Sequence, residues 1–235
     1  KRGVKTKVEP TLQEAPGVYN DTILAGLDYL LMEMGKRKML AVLYLNNSWE
    51  WSGGYGYYLE QAGFGKAPLP SIDGYSAFMN FVAKYASCEK AHQLFYDYVR
   101  FILTRTNRYT KKKYKDDPAI MSWQIGNEPR AFSKEQLPAF EKWLGEASKL
   151  IRSLDKNHLI SIGSEGKWGC EGELNCWERI CADKNVDYCN IHLWPYNWSW
   201  ARKDHLLEDL QISCQNTKEY IDEHLEVCGR IRKPL

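Results

Sequence analysis

The sequence lacks the features that define several large classes of protein. No apolar run reaches the ~18 residues of a membrane-spanning helix, and no glycine-rich phosphate loop of the Gly-x-Gly-x-x-Gly or Gly-x-x-x-x-Gly-Lys type occurs. The cysteines form no Cys-x-x-Cys pair, and the histidines show no ligand spacing such as His-Glu-x-x-His. We therefore expect no membrane span, no nucleotide-binding fold, and no metal or other cofactor.

The charge of the chain gives no sign of a polyanionic partner. The formal net charge is +2, and charged residues make up 26% of the sequence. The basic run at residues 111–113 has no aromatic-basic motif beside it, so we interpret it as a solvated loop and expect no nucleic-acid partner. The length of 235 residues suits one domain over residues 1–235 with a full hydrophobic core.

Aromatic residues are abundant, with nine Trp, fifteen Tyr and seven Phe. Many of them fall in predicted loops rather than in periodic segments. They could form a large aromatic core, or they could be flat platforms that stack on the apolar faces of sugar rings. Trp49, Trp51 and Tyr55 are the candidate platforms in the first long loop.

Cysteine usage bears on the compartment. Four of the seven cysteines lie between residues 170 and 189, a spacing that could staple one loop with disulfides in an oxidising environment. The odd total leaves at least one thiol unpaired within the chain. We expect some bridges, without a defined pairing.

Predicted strands and helices alternate along the chain. Apolar periodicity predicts helices at 22–36, 89–108, 134–154 and 204–227, and buried strands at 39–45, 120–125, 159–163 and 186–191, with a further strand beginning near 230–235. Residues 46–75 are predicted as a loop, and Ser133 with Gln136 has capping-box spacing. Continuous apolar strands separated by helices indicate a parallel sheet.

Four of these strands end in polar side chains, namely Asn46, Glu128, Glu165 and His192. An open doubly wound sheet concentrates its site at one switch point, whereas a barrel gathers all of its strand ends around one mouth. The pattern therefore predicts an α/β fold of the (β/α)8 TIM-barrel type.

The most informative stretch is residues 117–130, where a short apolar strand leads into Asn127, Glu128, Pro129 and Arg130. Pro129 stops the strand and leaves the Glu128 carboxyl at its tip, where barrel enzymes carry out chemistry. Glu128 is the candidate proton-transferring group, and Asn127 could hold a substrate hydroxyl. A structural alternative is a capping or ion-paired glutamate beside Arg130.

The chain resembles glycoside hydrolase family 5, and within it the endo-β-1,4-mannanase branch. The matching pieces are residues 12–20, 41–47, 114–120, 127–130, 161–166 and 191–195. The resemblance runs from end to end of the chain. It implies a barrel of which the chain covers about strands 3 to 6 and the start of strand 7.

The resemblance also implies roles for individual residues. In the retaining mechanism, two carboxyls about 5–5.5 Å apart flank the scissile bond, one as acid/base and one as nucleophile. Glu128 matches the acid/base, which needs a raised pKa to donate a proton near neutrality. The implied substrate-binding residues are Asn127, His192, Trp194, Arg130, Glu165, Asn46, Trp49 and Trp51. A mutual ion pair of Arg130 with Glu165 is the alternative for those two.

Two departures from the family pattern stand out. Trp194 occupies a position where many members carry a tyrosine that contacts the nucleophile. The nucleophile is a glutamate on the seventh strand, which the resemblance places just beyond Leu235, and the first two strands would precede Lys1.

The implied function is endo-acting cleavage of β-1,4 bonds in mannan, glucomannan or galactomannan by a monomer that works outside the cell or in the periplasm. An endo-β-1,4-glucanase or another β-glycosidase of the same family is one alternative, because a single sequence does not reveal how the site distinguishes the 2-hydroxyl of mannose from that of glucose. A non-catalytic carbohydrate-binding barrel without the nucleophile is the other.

Overall fold

The computed structural model describes residues 9–52 and 54–235. The strands are β1 (Gln13–Ala15), β2 (Val18–Tyr19), β3 (Ala41–Tyr44), β4 (Ile120–Gln124) and β5 (Leu159–Ser161). The α-helices are α1 (Asp21–Lys36), α2 (Gly54–Leu59), α3 (Pro70–Asp73), α4 (Tyr75–Val82), α5 (Glu89–Thr104), α6 (Leu137–Leu154), α7 (Leu174–Cys181) and α8 (Leu210–Ile231).

The central sheet is parallel, as the alternation of strands and helices predicted. Its order is β3-β4-β5, with Leu43 opposite Trp123 and Trp123 opposite Ile160. β1 and β2 form a separate antiparallel hairpin ahead of α1. Because parallel strands end at one edge of a sheet, the polar residues after β3, β4 and β5 meet there.

Much of the aromatic surplus lies in the core rather than on the surface. α5 and α6 pack against each other, and Phe95 of α5 and Trp143 of α6 are fully buried with ring centroids 5.9 Å apart. Tyr55, predicted as a sugar platform, is also buried, and its ring stacks on Tyr85 with a centroid separation of 3.9 Å. The prediction that Tyr55 is an accessible sugar platform was therefore wrong.

The predicted strand at 186–191 is absent from the sheet. The segment does run beside β5, but side chains replace part of the backbone ladder. The Asp187 carboxylate accepts from the Ile160 N–H over 2.7 Å, and the Asn190 amide oxygen accepts from the Gly163 N–H over 3.0 Å. Residues 230 and 231 likewise form the end of α8 and do not begin a strand.

Several helix boundaries also differ from the prediction. The predicted loop at 46–75 contains α2 and α3. α5 ends at Thr104, because Arg105 leaves the helix and pairs with Asp28 at 2.7 Å. α8 begins at Leu210, directly after Asp209, whose carboxylate accepts a hydrogen bond of 2.7 Å from the Arg202 backbone N–H. The predicted capping box does not form.

Ser133 donates instead to the carboxylate of Glu135, and Lys134–Gln136 forms a short 3-10 turn before α6.

The cysteines are thiols in the structure, so the predicted disulfide staple between residues 170 and 189 is not formed. Within residues 9–52 and 54–235, no helix combines the length and the apolar character needed to cross a bilayer.

Candidate active site

The tip of β4 is fixed between its two neighbours. The Asn127 N–H donates to the Asn46 carbonyl over 2.8 Å, and the Glu128 N–H donates to the Gly163 carbonyl over 2.9 Å. Glu128 itself has a φ of 50°, a left-handed conformation that is uncommon for a residue with a Cβ. The backbone therefore turns sharply at Glu128 and leaves its carboxyl in the mouth formed by the strand ends.

Three ring N–H groups converge on the Glu128 carboxylate. Trp49 Nε1 donates to Oε2 over 2.7 Å, and Trp194 Nε1 donates to Oε1 over 2.8 Å. His192 Nδ1 lies 2.7 Å from the same Oε1. Trp49 follows β3, whereas His192 and Trp194 follow the 186–191 segment, so the site joins three regions that are remote in sequence.

These contacts favour the ionised form of Glu128. Burial alone raises the pKa of the carboxyl, but the hydrogen bonds from His192, Trp194 and Trp49 outweigh it, and the pKa of Glu128 is held below its usual value. The raised pKa that the acid/base role led us to expect is therefore not present in this state. The reason is that donors from two separate loops occupy both carboxylate oxygens.

The carboxyl with a raised pKa is Glu165, at the end of β5. Its side chain is 4% exposed, and burial together with the negative charge of Glu128 raises the pKa of Glu165 to about 7. Arg130 Nη1 lies 3.8 Å from Oε2, and Arg130 Nε donates to Glu171 over 3.0 Å. Arg130 thus lies between two acidic residues, hydrogen-bonded to Glu171 and within ion-pair distance of Glu165. Sugar contacts by Arg130 and Glu165 stay predictions.

The remaining predicted residues differ in how near they lie to the mouth. Asn127 lies at the mouth beside Asn47, with the two side chains 3.5 Å apart. Trp51 is exposed, and its ring lies 5.9 Å from that of Trp49. Asn46 is buried beneath the site, where its amide donates to the Tyr85 hydroxyl over 3.1 Å. A substrate contact by Asn46 stays a prediction.

Helix α8 fixes the loop that carries Glu165. The Tyr220 hydroxyl donates to the Glu165 carbonyl over 2.7 Å, and the Lys167 N–H donates to His224 Nε2 over 3.0 Å. Burial lowers the pKa of His224, which agrees with a neutral ring that accepts at Nε2. Sequence reasoning missed Tyr220, His224 and Glu171, because only the packing of α8 and the 165–173 loop shows which side chains face the site.

No group of three or more histidine, cysteine or acidic side chains with suitable placement occurs in residues 9–52 and 54–235. The site offers carboxyls, ring N–H donors and aromatic faces, which suit acid/base work on a neutral, hydroxyl-rich substrate.

Comparison with known proteins identifies the class and then the family. The solved glycoside hydrolase family 5 mannosidase of Rhizomucor miehei superposes with a TM-score of 0.84 at 31% identity, over 97% of this chain and 54% of that one. The fold is thus that of the (β/α)8 barrels, of which the described residues form part. A family model described as GH family 5 beta-mannosidase-like matches residues 2–235, and the chain belongs to that family.

Curated relatives agree with this assignment. Mannan endo-1,4-beta-mannosidase 4 of Solanum lycopersicum is 32% identical over 95% of this chain and 54% of its own length. The protein of the same name from Oryza sativa subsp. japonica is 33% identical over 81% of this chain and 42% of its own length. The chain therefore spans about half the length of the relatives that it matches.

Proposed function

We propose that this chain carries the acid/base half of a retaining endo-β-1,4-mannanase, with Glu128 as the proton-transferring group. The observation that carries the proposal is the position of Glu128, at the tip of β4 with Trp49, His192 and Trp194 on its carboxylate. Such a carboxyl, buried and oriented by N–H donors from neighbouring loops, is equipped to hold and transfer one proton in a fixed direction.

In the proposed mechanism, Glu128 protonates the oxygen of the leaving sugar while a second carboxylate attacks the anomeric carbon. That second group is the glutamate expected just beyond Leu235. Glu128 then removes a proton from the water that releases the enzyme-bound sugar. Asn127, next to Glu128, would bind the 2-hydroxyl, a contact that strengthens in the transition state.

Glu128 must gain a proton before the first step. Its pKa is lowered by ring N–H donors. Sugar hydroxyls that take over the N–H groups of Trp49 or Trp194 would leave the carboxylate with fewer donors, and the opposing effect of burial would then raise its pKa. Substrate binding would in this way convert the ionised Glu128 carboxylate into a carboxylic acid that can donate a proton.

The substrate assignment rests on the relatives. Those from tomato and rice are named mannan endo-1,4-beta-mannosidases. We extend that activity to this chain, with β-mannan, glucomannan or galactomannan as the polymer, a monomeric protein, and action outside the cytoplasm.

The test is release of reducing ends from β-mannan, with carboxymethylcellulose alongside and a Glu128→Gln variant as control, all in the full-length protein. We expect cleavage of mannan by the wild type, and a loss of about 100-fold or more in the variant, because general acid–base catalysis contributes roughly 10²–10⁴ in rate. Cleavage of cellulose alone would reject the substrate, and equal activity of the variant would reject Glu128. Mannan binding without cleavage would indicate a carbohydrate-binding barrel.

A further inference from the structure

The backbone of Glu128 adopts a conformation that its neighbours must support. Its φ of 50° is left-handed, and a residue with a Cβ keeps such a conformation only where the surrounding structure fixes it. The N–H of Glu128 is held by the Gly163 carbonyl, 2.9 Å away. The carbonyl of Glu128 is held by the side-chain hydroxyl of Ser48, which donates to it.

Ser48 also contacts the tip of β4 through its backbone. The Ser48 N–H donates to the Asn127 carbonyl over 3.3 Å, and the hydroxyl oxygen lies 3.5 Å from the same carbonyl oxygen. Ser48 is fully buried. Loss of its hydroxyl would therefore leave the Glu128 carbonyl without this donor at a position away from solvent, and a buried carbonyl that lacks a donor is unfavourable.

The turn that carries Ser48 is itself held in place. The Trp49 N–H donates to Asn47 Oδ1 over 3.0 Å, and the Tyr55 N–H donates to the Asn47 carbonyl over 3.0 Å. A Cβ at Gly54 would overlap the Asn47 carbonyl oxygen, so the chain folds back against Asn47 with no space for a side chain. Ser48 therefore presents its hydroxyl from a fixed position.

Two consecutive residues thus hold opposite ends of Glu128. Ser48 donates to its backbone carbonyl, and the Trp49 indole donates to Oε2 of its carboxylate over 2.7 Å. The carbonyl contact fixes how the backbone turns at Glu128, and hence the direction of its Cα–Cβ bond. The carboxylate meets Trp49, His192 and Trp194 together only while this direction is kept.

We propose that Ser48 is a positioning residue for Glu128, which keeps the carboxyl directed at the glycosidic oxygen through its hydrogen bond to the Glu128 carbonyl. The proposal rests on the proposed function for the reaction, whereas the direction of the carboxylate can be measured without it. Misplacement of a reacting group by about 1 Å can cost about 100-fold in rate. Loss of the Ser48 hydroxyl should therefore impair proton transfer and spare the rest of the mechanism.

The first test compares two substrates of the full-length protein that differ in their need for a proton. Cleavage of mannohexaose requires protonation of the leaving sugar, whereas a dinitrophenyl β-mannoside has a leaving group that needs none. For Ser48→Ala we expect kcat/KM for mannohexaose to fall about 10- to 100-fold, and kcat/KM for the dinitrophenyl substrate to stay unchanged. Ser48→Thr keeps the hydroxyl and should restore mannohexaose cleavage.

Ser122→Ala is the matched control for the loss of a buried hydroxyl. Ser122 is a fully buried serine within β4, and its hydroxyl accepts from the Tyr188 hydroxyl over 3.0 Å. This variant should weaken the fold in a similar way, but it should change kcat/KM for the two substrates by the same factor. The contrast separates positioning of Glu128 from a general loss of stability.

A second measurement reports the geometry at Glu128 without activity. A hydrogen bond to a carboxylate is short and strong, and it moves the signal of the donor proton to low field in NMR spectra. In the full-length protein, Ser48→Ala should move the indole N–H signals of Trp49 and Trp194, which both donate to the Glu128 carboxylate. Ser48→Thr should leave the two signals where they are in the wild type.

The Trp123 indole is the internal reference, because it donates over 2.7 Å to a different carboxylate, that of Asp155. If the wild type cleaves no mannan but Ser48→Ala moves the Trp49 and Trp194 signals and not that of Trp123, the proposed function fails and the positioning role stands. If Ser48→Ala leaves the two signals unmoved, or lowers kcat/KM for both substrates equally, the positioning role is rejected.

Discussion

Trp49 Nε1 donates a 2.7 Å hydrogen bond to Oε2 of Glu128, and this contact joins the loop after β3 to the tip of β4. The indole also stacks on Phe78 with a centroid distance of 6.2 Å, which fixes the direction of its N–H. Trp49 was predicted as a sugar platform. In the structure its polar edge is directed at the candidate acid/base, and stacking of a sugar on its ring stays a prediction.

The first prediction concerns this N–H. Trp49→Phe removes one hydrogen-bond donor from the Glu128 carboxylate. The pKa of Glu128 should therefore rise, because fewer hydrogen bonds then counter the effect of burial. An acid/base must be protonated for the first step, and the alkaline limb of the kcat/KM profile should therefore move to higher pH. The charge of His192 also acts on the pKa of Glu128, and the charges of Glu128, Arg130, His192 and Glu171 act on the pKa of Glu165.

The control for this variant is Trp51→Phe. Trp51 is 50% exposed and neighbours Trp49, but the carboxylate of Glu128 takes its donors from Trp49, Trp194 and His192. Its pH profile should match that of the wild type. A profile for Trp49→Phe that coincides with the wild type would show that the indole N–H does not set the pKa of Glu128.

The second prediction uses the buried carboxyl of Glu165. Its pKa is raised to about 7, so the folded state holds a proton that the unfolded chain has already released above about pH 4.3. The free energy of unfolding of the wild type should therefore fall as pH rises from about 4 to 7, relative to Glu165→Gln, by about 3 kcal/mol. Denaturant unfolding at several pH values measures the difference, and parallel curves for the two proteins would contradict the assignment.

The third prediction concerns the loop anchored by α8. Gly166 has a φ of +94°, and a Cβ there would lie 2.6 Å from both His224 Nε2 and the Tyr220 hydroxyl. Gly172 has a φ of +87° and open space around the Cβ position. Gly172→Ala should cost about 1–3 kcal/mol from backbone strain alone, and Gly166→Ala should cost more because it also displaces the α8 side chains.

Denaturant unfolding of the two alanine variants, together with their mannanase activity, provides the comparison. Gly166→Ala should also reduce activity, because Glu165 is the adjacent residue, whereas Gly172→Ala should retain it. Equal destabilisation of the two variants would show that the contacts with His224 and Tyr220 do not hold the loop.

The sequence predicts the parts of this molecule that local pattern controls. β3, β4 and β5 lie where continuous apolar runs place them, and the polar residue that ends each run lies at the common edge of the sheet. Glu128 was predicted because an apolar strand and Pro129 define the position of its carboxyl, and because residues 127–130 resemble a family motif. Each of these signals is contained within about ten residues of the chain.

Long-range contacts account for the errors. The 186–191 segment is apolar enough for a strand, yet Asp187 and Asn190 bond to β5 and its following turn through side chains. The pKa of Glu128 depends on indoles from two distant loops, and that of Glu165 depends on its burial and on the charge of Glu128. Periodicity contains no information about these neighbours.

The most direct test of the account asks whether Glu128 delivers the proton. In the full-length protein, Glu128→Ala should lose cleavage of mannan, yet it should still react with a dinitrophenyl β-mannoside, whose leaving group needs no protonation. Added azide should then restore turnover and yield the β-mannosyl azide, since the anion fits the vacated site and needs no general base. Loss of reaction with both substrates and no response to azide would contradict the assignment of Glu128 as acid/base.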